Sequence, residues 1–212
     1  MANVEKMYTY MRGFLEGAHM IESMKALMFA RKSHQGQTRK DGTPYIVHPL
    51  SMACYAAGLG IRDDNTIATI LLHDVSEDCG VPIELLPVNE IVRNGVKHMT
   101  ITAPGANISK IEAKRLYFRK MIECPEALIC KALDRYNNLS DMAQSFTKDA
   151  MAKNCAETEQ LLMPVLREAK EEYPHLANYL FVLRVNLSTL VNTLKTICPE
   201  EYQFWTEKYK NP

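Results

Sequence analysis

The segment Asp63-Asp64-Asn65-Thr66-Ile67-Ala68-Thr69-Ile70-Leu71-Leu72-His73-Asp74-Val75-Ser76-Glu77-Asp78 decides the fold class. Ile67, Ile70, Leu71 and Val75 recur three and four apart, the period of one helix face, where a strand would alternate every second residue. Asp63 or Asp64 can cap the first free amides, and Cys79-Gly80-Val81-Pro82 marks the stop. One helix is therefore expected from the Asp pair to Cys79, with His73, Asp74, Glu77 and Asp78 in its last two turns. There His73 would stack over Glu77 and Asp74 over Asp78.

The same period extends in both directions. Upstream, Met20, Ile21, Met24, Leu27 and Met28 share a face that ends near Gly36, and the helical pattern runs through Gly17-Ala18-His19-Met20. A polar loop follows from Gln37 to Val47. Pro49 then suits the first position of a helix through Met52, Ala53, Ala56 and Ala57, closed by Gly58 and Gly60. Downstream, one or two short helices are expected between Pro82 and Thr102, and Pro104-Gly105 marks a loop. Ser109-Lys110-Ile111-Glu112 reads as a capping box, opening a helix to about Glu123. Another runs from Glu126 with Ile129, Leu133 and Tyr136 near one face, and Asp134 and Asn138 one turn apart beside it. From Met151 two longer helical stretches divide at Tyr173-Pro174, and a last segment follows Pro199. Period-two alternation is not found, so the expected class is all-α, a single helical bundle.

With 212 residues, the chain suits one well-buried domain carrying a C-terminal extension. Lys+Arg and Asp+Glu are equal at 25 each, so no global field draws the chain to nucleic acid or to an anionic membrane; any attraction for phosphate must be local. The six cysteines form no CxxC pair and read as reduced thiols packed as small hydrophobes. No stretch approaches the roughly 18 uninterrupted apolar residues of a membrane span, and the N-terminus lacks a signal-peptide layout. A cytoplasmic protein is expected.

A metal site draws ligands from several elements, because one helix offers only two adjacent groups without strain. His48, the His73-Asp74 pair and Asp134 meet that requirement from three elements. Glu77 and Asp78 stand one turn beyond. Acids at a helix C-terminus oppose the macrodipole, and a bound cation would compensate. Arg39 and Lys40 lie nine and eight residues before His48. They read either as a solvated loop pair or as groups that neutralise phosphate or stack on a base. His34 reads either as a ligand or, at a helix end, as a capping or hydrogen-bonding group, the latter the better fit, and His19, His98 and His175 suit the surface. Trp205 suits packing.

Two runs, Phe29-Ala30-Arg31-Lys32-Ser33-His34-Gln35-Gly36-Gln37-Thr38-Arg39-Lys40-Asp41-Gly42-Thr43-Pro44-Tyr45-Ile46-Val47-His48-Pro49 and Leu71-Leu72-His73-Asp74-Val75-Ser76-Glu77-Asp78, closely resemble the HD-type hydrolase domain of the RelA/SpoT family. Gly95-Val96-Lys97-His98-Met99-Thr100 and Lys131-Ala132-Leu133-Asp134-Arg135-Tyr136-Asn137-Asn138 extend the likeness, which covers about residues 20 to 165. The resemblance implies a helical HD metal-dependent phosphohydrolase domain, residues 1–170, with 171–212 as a helical extension packed on it. It implies removal of the 3′-pyrophosphate from ppGpp and pppGpp, the small-molecule partners. His48, His73, Asp74 and Asp134 would hold one Mn²⁺, and Glu77 with Asp78 would position and deprotonate the attacking water. Arg39 would stack on the purine, Lys40 would meet phosphate, and Asn138 would touch the ribose or a nearby phosphate. Cys79 stands where threonine is frequent, Leu133 replaces an alanine, and Tyr136-Asn137 replaces Leu-His; these departures bear on base selectivity. Too few residues follow the matched region for a synthetase domain, so a stand-alone hydrolase is expected. Hydrolysis of ppApp, removal of the 2′-phosphate of NADPH, and alarmone binding without turnover are the alternatives.

Overall fold

The computed structural model describes residues 3–39, 42–100 and 108–210, side chains 144 and 145 excepted. Lys40, Asp41 and the Pro104-Gly105 loop lie outside them. Among the described residues regular structure is helical, apart from one isolated antiparallel bridge between Thr38 and Pro44. The all-α expectation holds. Contacts divide the chain into two compact units, residues 1–100 with 124–130, and residues 101–123 with 131–212.

The first unit holds α1 (Val4–Gly17), α2 (Ile21–Ser33), α3 (Val47–Gly58), α4 (Asp64–Leu72), α5 (Val75–Cys79) and α6 (Glu90–Met99). Helix α4 is its centre, packing against α2, α3 and α6. Every residue from Thr66 to Leu72 is buried, and a helix covered on all sides is the expected home of so apolar a run. The side chain of Asp63 accepts from the Thr66 amide, and Asp64 reaches across to α2. The close approach of α6 depends on Gly95, whose missing Cβ would lie 2.6 Å from the Thr69 hydroxyl oxygen.

Four local readings are corrected. The face expected of α2 is displaced: Ile21 and Met28 are exposed, and Ser23, Ala26, Leu27 and Ala30 are the buried residues of that helix. The helical pattern does not pass through Gly17-Ala18-His19-Met20: α1 ends at Gly17, and His19 turns the chain with φ +53° before α2 starts at Ile21. Pro49 is the third residue of α3 rather than the first. It still falls in the opening turn, where amides have no intrahelical acceptor, so its missing N–H costs nothing. The helix expected from Asp63 to Cys79 is interrupted: α4 stops at Leu72, His73 and Asp74 form a joint, and α5 restarts at Val75. Gly80 closes α5 with φ +65°. Glu77 and Asp78 therefore lie in the single short turn of α5, five residues long, rather than in the last two turns of a long helix.

The second unit holds α7 (Lys110–Lys120), the later turns of α8 (Pro125–Ser145), α9 (Lys148–Glu157), α10 (Met163–Glu172), α11 (Ala177–Leu194) and α12 (Pro199–Lys210). Ser109 caps α7 through the Glu112 amide, and Thr147 caps α9 through that of Ala150. A π-helical turn, Thr158–Leu162, joins α9 to α10, and α12 packs on α9. Trp205 on α12 donates its indole N–H to Asp149 at 2.7 Å, a packing role. At the centre the buried Glu157 carboxylate accepts from Arg135, Lys114 and Tyr209, and Arg135 also donates to Asn154 at 2.6 Å.

Candidate functional site

The joint between α4 and α5 presents His73 and Asp74, and the opening turn of α3 presents His48. Ligand atoms of these three residues lie within 4.8 Å of one another. Both imidazoles are almost fully buried, and the carboxylate is about a quarter exposed. One oxygen, Asp74 Oδ2, is 3.0 Å from His73 Nε2 and 3.6 Å from His48 Nε2. The two rings meet edge to face at 5.2 Å.

The protonation of His73 follows from its other nitrogen. Nδ1 lies 2.8 Å from the Ile70 carbonyl oxygen, which can only accept, so Nδ1 carries the hydrogen. In the neutral ring Nε2 then presents a lone pair to a carboxylate oxygen 3.0 Å away. Two acceptors at that separation repel unless positive charge lies between them. A divalent cation satisfies the arrangement, and a ring nitrogen fixed by a backbone carbonyl is the usual support of a ligating histidine. The residues present therefore fit a metal ion.

Around this cluster lies a ring of supporting groups. The Tyr45 hydroxyl donates to Asp74 Oδ2 at 2.7 Å. Burial first, then the facing carboxylates of Asp74 and Asp78, raise the Tyr45 phenol far above its ordinary value, so it stays protonated. Its ring stacks on His34 at 4.8 Å. His34 Nδ1 is 2.7 Å from Gln37 Oε1, and Gln37 Nε2 donates to the Asp78 carbonyl at 3.1 Å. Burial lowers the His34 pKa, so this ring is a neutral hydrogen-bonding group, as its position in the sequence suggested. The Cys79 thiol, which burial pushes up, points to the Ser33 carbonyl at 3.4 Å.

The other expected site residues fall as follows. Glu77 and Asp78 are exposed on α5, directly after the ligand pair. Arg39 is half-buried in the loop closed by the Thr38–Pro44 bridge, where its amide donates to the Thr43 carbonyl at 2.8 Å. Lys40 is outside the described residues. Asp134 and Asn138 belong to the second unit, on α8. Asp134 is buried; Oδ1 accepts from Asn138 at 2.6 Å and Oδ2 from Lys131 at 2.8 Å. Burial opposes the Lys131 charge, but the Asp134 carboxylate more than restores it and holds the ammonium above its ordinary pKa. Tyr45 and Gln37 had no role assigned from sequence. The signal available was position: Tyr45 stands three residues before His48, one helical turn away at the entrance of α3.

Comparison with known proteins identifies a family. The family profile of the HD domain matches residues 26–165. A guanosine-3′,5′-bis(diphosphate) 3′-pyrophosphohydrolase of Aquifex aeolicus is 31% identical over 204 residues, 91% of this chain and 27% of that protein. A GTP pyrophosphokinase of Myxococcus xanthus is 32% identical over 150 residues, 66% of this chain and 20% of that one. The bifunctional (p)ppGpp synthase/hydrolase SpoT of Escherichia coli is 30% identical over 149 residues, 66% and 21%. The chain thus spans about a quarter of the length of the curated relatives it matches. Among solved structures, a metazoan ortholog of SpoT described as hydrolysing ppGpp aligns with a TM-score of 0.63 at 23% identity, covering 81% of this chain and 94% of that one; this likeness is one of fold.

Proposed function

The chain belongs to the HD-domain family, and from that premise we propose that it is a metal-dependent hydrolase removing the 3′-pyrophosphate of ppGpp and pppGpp. The observation that carries the reading is the convergence of Asp74 Oδ2, His73 Nε2 and His48 Nε2, in which His73 Nε2 is the lone-pair nitrogen of a neutral ring turned toward a carboxylate oxygen. The substrate class rests on the likeness to the Aquifex protein over 91% of the chain.

In this reading His48, His73, Asp74 and Asp134 hold one divalent ion, Mn²⁺ on the pattern of the RelA/SpoT family. When bound, such an ion draws charge from phosphoryl oxygens and makes water more acidic near neutral pH. Glu77, exposed beside the ligand pair and backed by Asp78, takes the proton of the attacking water. The oxygen of that water bonds to the phosphorus nearest the 3′-oxygen as the bond between that phosphorus and the 3′-oxygen breaks; the 3′-oxygen takes up a proton to become the ribose hydroxyl of GDP or GTP, and the two phosphates leave as pyrophosphate. Arg39 stacks on the purine, Lys40 meets phosphate, and Asn138 contacts the ribose or a neighbouring phosphate. Residues 1–170 form the hydrolase domain, and 171–212 its extension. Among the described residues no helix is long and apolar enough to cross a membrane. All six cysteines are free thiols, which suits the reducing cytoplasm.

The test is incubation with ppGpp, ppApp and NADPH in parallel, with Mn²⁺ and with chelator. The expected result is pyrophosphate and GDP from ppGpp, abolished by the chelator. Orthophosphate from NADPH alone, or pyrophosphate from ppApp alone, would replace the substrate assignment. Alarmone binding without product over hours would replace the catalytic one.

A further inference from the structure

Resting on the metal reading of the site, we propose that Tyr45 is a positioning residue for Asp74, its hydroxyl holding the carboxylate turned toward His48 and His73. The Tyr45 hydroxyl donates to Asp74 Oδ2 at 2.7 Å. That same oxygen faces both imidazoles. Asp74 needs such a hold because it lies in the joint between α4 and α5, outside either helical segment, and is about a quarter exposed. His73 is fixed by the Ile70 carbonyl and by burial on all sides. For Asp74 the phenol plays the corresponding part.

The phenol is itself anchored from two directions. Its ring stacks on the buried His34 at 4.8 Å and 27°. Its backbone amide donates to the Gln37 carbonyl at 3.0 Å. His34 is tied to the Gln37 side chain, whose amide in turn donates to the Asp78 carbonyl at the end of α5. Gln37 thus joins the loop to the segment carrying the acids, and Tyr45 spans from that loop to the ligand. Supporting groups of this kind hold a ligand in its binding orientation before the ion arrives, and their loss typically weakens metal affinity by about 10- to 100-fold.

Tyr45→Phe removes only the hydroxyl and keeps the ring on His34. Mn²⁺ binding to the full chain, measured by isothermal titration calorimetry, should weaken by about 10- to 100-fold, while the circular dichroism spectrum of the metal-free protein is unchanged. A dissociation constant within twofold of the parent's overturns the inference and leaves the metal site standing. A parent chain that binds no Mn²⁺ overturns the metal reading and this inference together. Should the variant fail to fold, the parent serves: Mn²⁺ should perturb its tyrosine ultraviolet difference spectrum as Asp74 Oδ2 takes the ion, and an unperturbed spectrum at saturating Mn²⁺ counts against the inference.

Discussion

Glu157 Oε1 accepts from Arg135 Nη2 at 2.6 Å, with both side chains more than nine-tenths buried. Burial works against the Glu157 charge, but Arg135 and Lys114 together outweigh it and lower the carboxyl from the ordinary 4.5 to about 2. A depressed acid stabilises the fold above its unfolded pKa and loses that contribution as pH falls through the folded one. Stability should therefore decline between about pH 4.5 and pH 2 by an amount on the order of 3 kcal/mol from this group. In Glu157→Gln the neutral-pH stability should drop by about 3 kcal/mol, since the buried Arg135 loses its counter-ion and the partly exposed Lys114 its partner, and the gap to the parent should narrow toward pH 2. Urea melts at pH 7, 5 and 3 check this; parallel curves would contradict it.

Asp64 caps a helix other than its own. Its two carboxylate oxygens accept from the amides of Glu22 and Ser23 at 2.9 and 2.7 Å, and the Ser23 hydroxyl donates to the Asp64 carbonyl at 2.7 Å. Met20, at the N-cap of α2, offers no side-chain oxygen. Asp64→Ala should lower stability by about 1–2 kcal/mol. Asp64→Asn should recover only part, because its NH₂ group would face an amide donor. Denaturant midpoints of both variants give the comparison.

Gly95→Ala places a methyl 2.6 Å from Thr69 Oγ1 and 2.9 Å from Cγ2. With both branches of the threonine in the way, rotation about its Cα–Cβ bond cannot clear the clash. The substitution should cost about 1–3 kcal/mol by overpacking. Thr69→Ala combined with Gly95→Ala should restore much of it, and thermal melts of the two singles and the double measure the coupling.

On the proposed mechanism, ion binding at His73 and water activation at Glu77 should be separable by substitution. His73→Ala should lose Mn²⁺ binding and turnover together. Glu77→Gln should keep Mn²⁺ and lower kcat by about 100- to 10,000-fold, the usual range for a general base. Calorimetric Mn²⁺ titration beside a pyrophosphate-release assay separates the two. An active His73→Ala protein free of metal would remove the metal from the mechanism.

What the sequence made legible was governed by local rules. The helical period marked α4 and α8 because each buries a continuous apolar run, but on α2 it picked the wrong face, since small residues rather than Ile21 and Met28 meet the core; the Asp63 and Ser109 caps were readable because one side chain and one amide three residues on suffice. The turn at His19 was not: a positive φ in a non-glycine residue follows from the packing around it rather than from its own preference. Nor was the joint at His73-Asp74, since Leu71, Leu72 and Val75 carry the apolar period straight through. The residue types of His48, His73 and Asp74 pointed to a cation before any geometry was known, whereas Tyr45 and Gln37 depend on contacts between the loop and α5. The Lys114, Arg135, Glu157 and Tyr209 cluster draws on four separate segments, and no single window of sequence contains its logic.

The interruption between α4 and α5 sets two demands against each other at the same two positions. Both residues of the joint keep right-handed helical dihedrals, and their ligand atoms lie within 4.8 Å of each other and of His48. Substitutions at 73 or 74 that raise helical propensity, the kind a screen for thermal resilience favours, would each remove a proposed ligand atom outright. Robustness and ion capture are thus antagonistic traits at this joint, so a hardened version of the protein is best sought elsewhere in the chain.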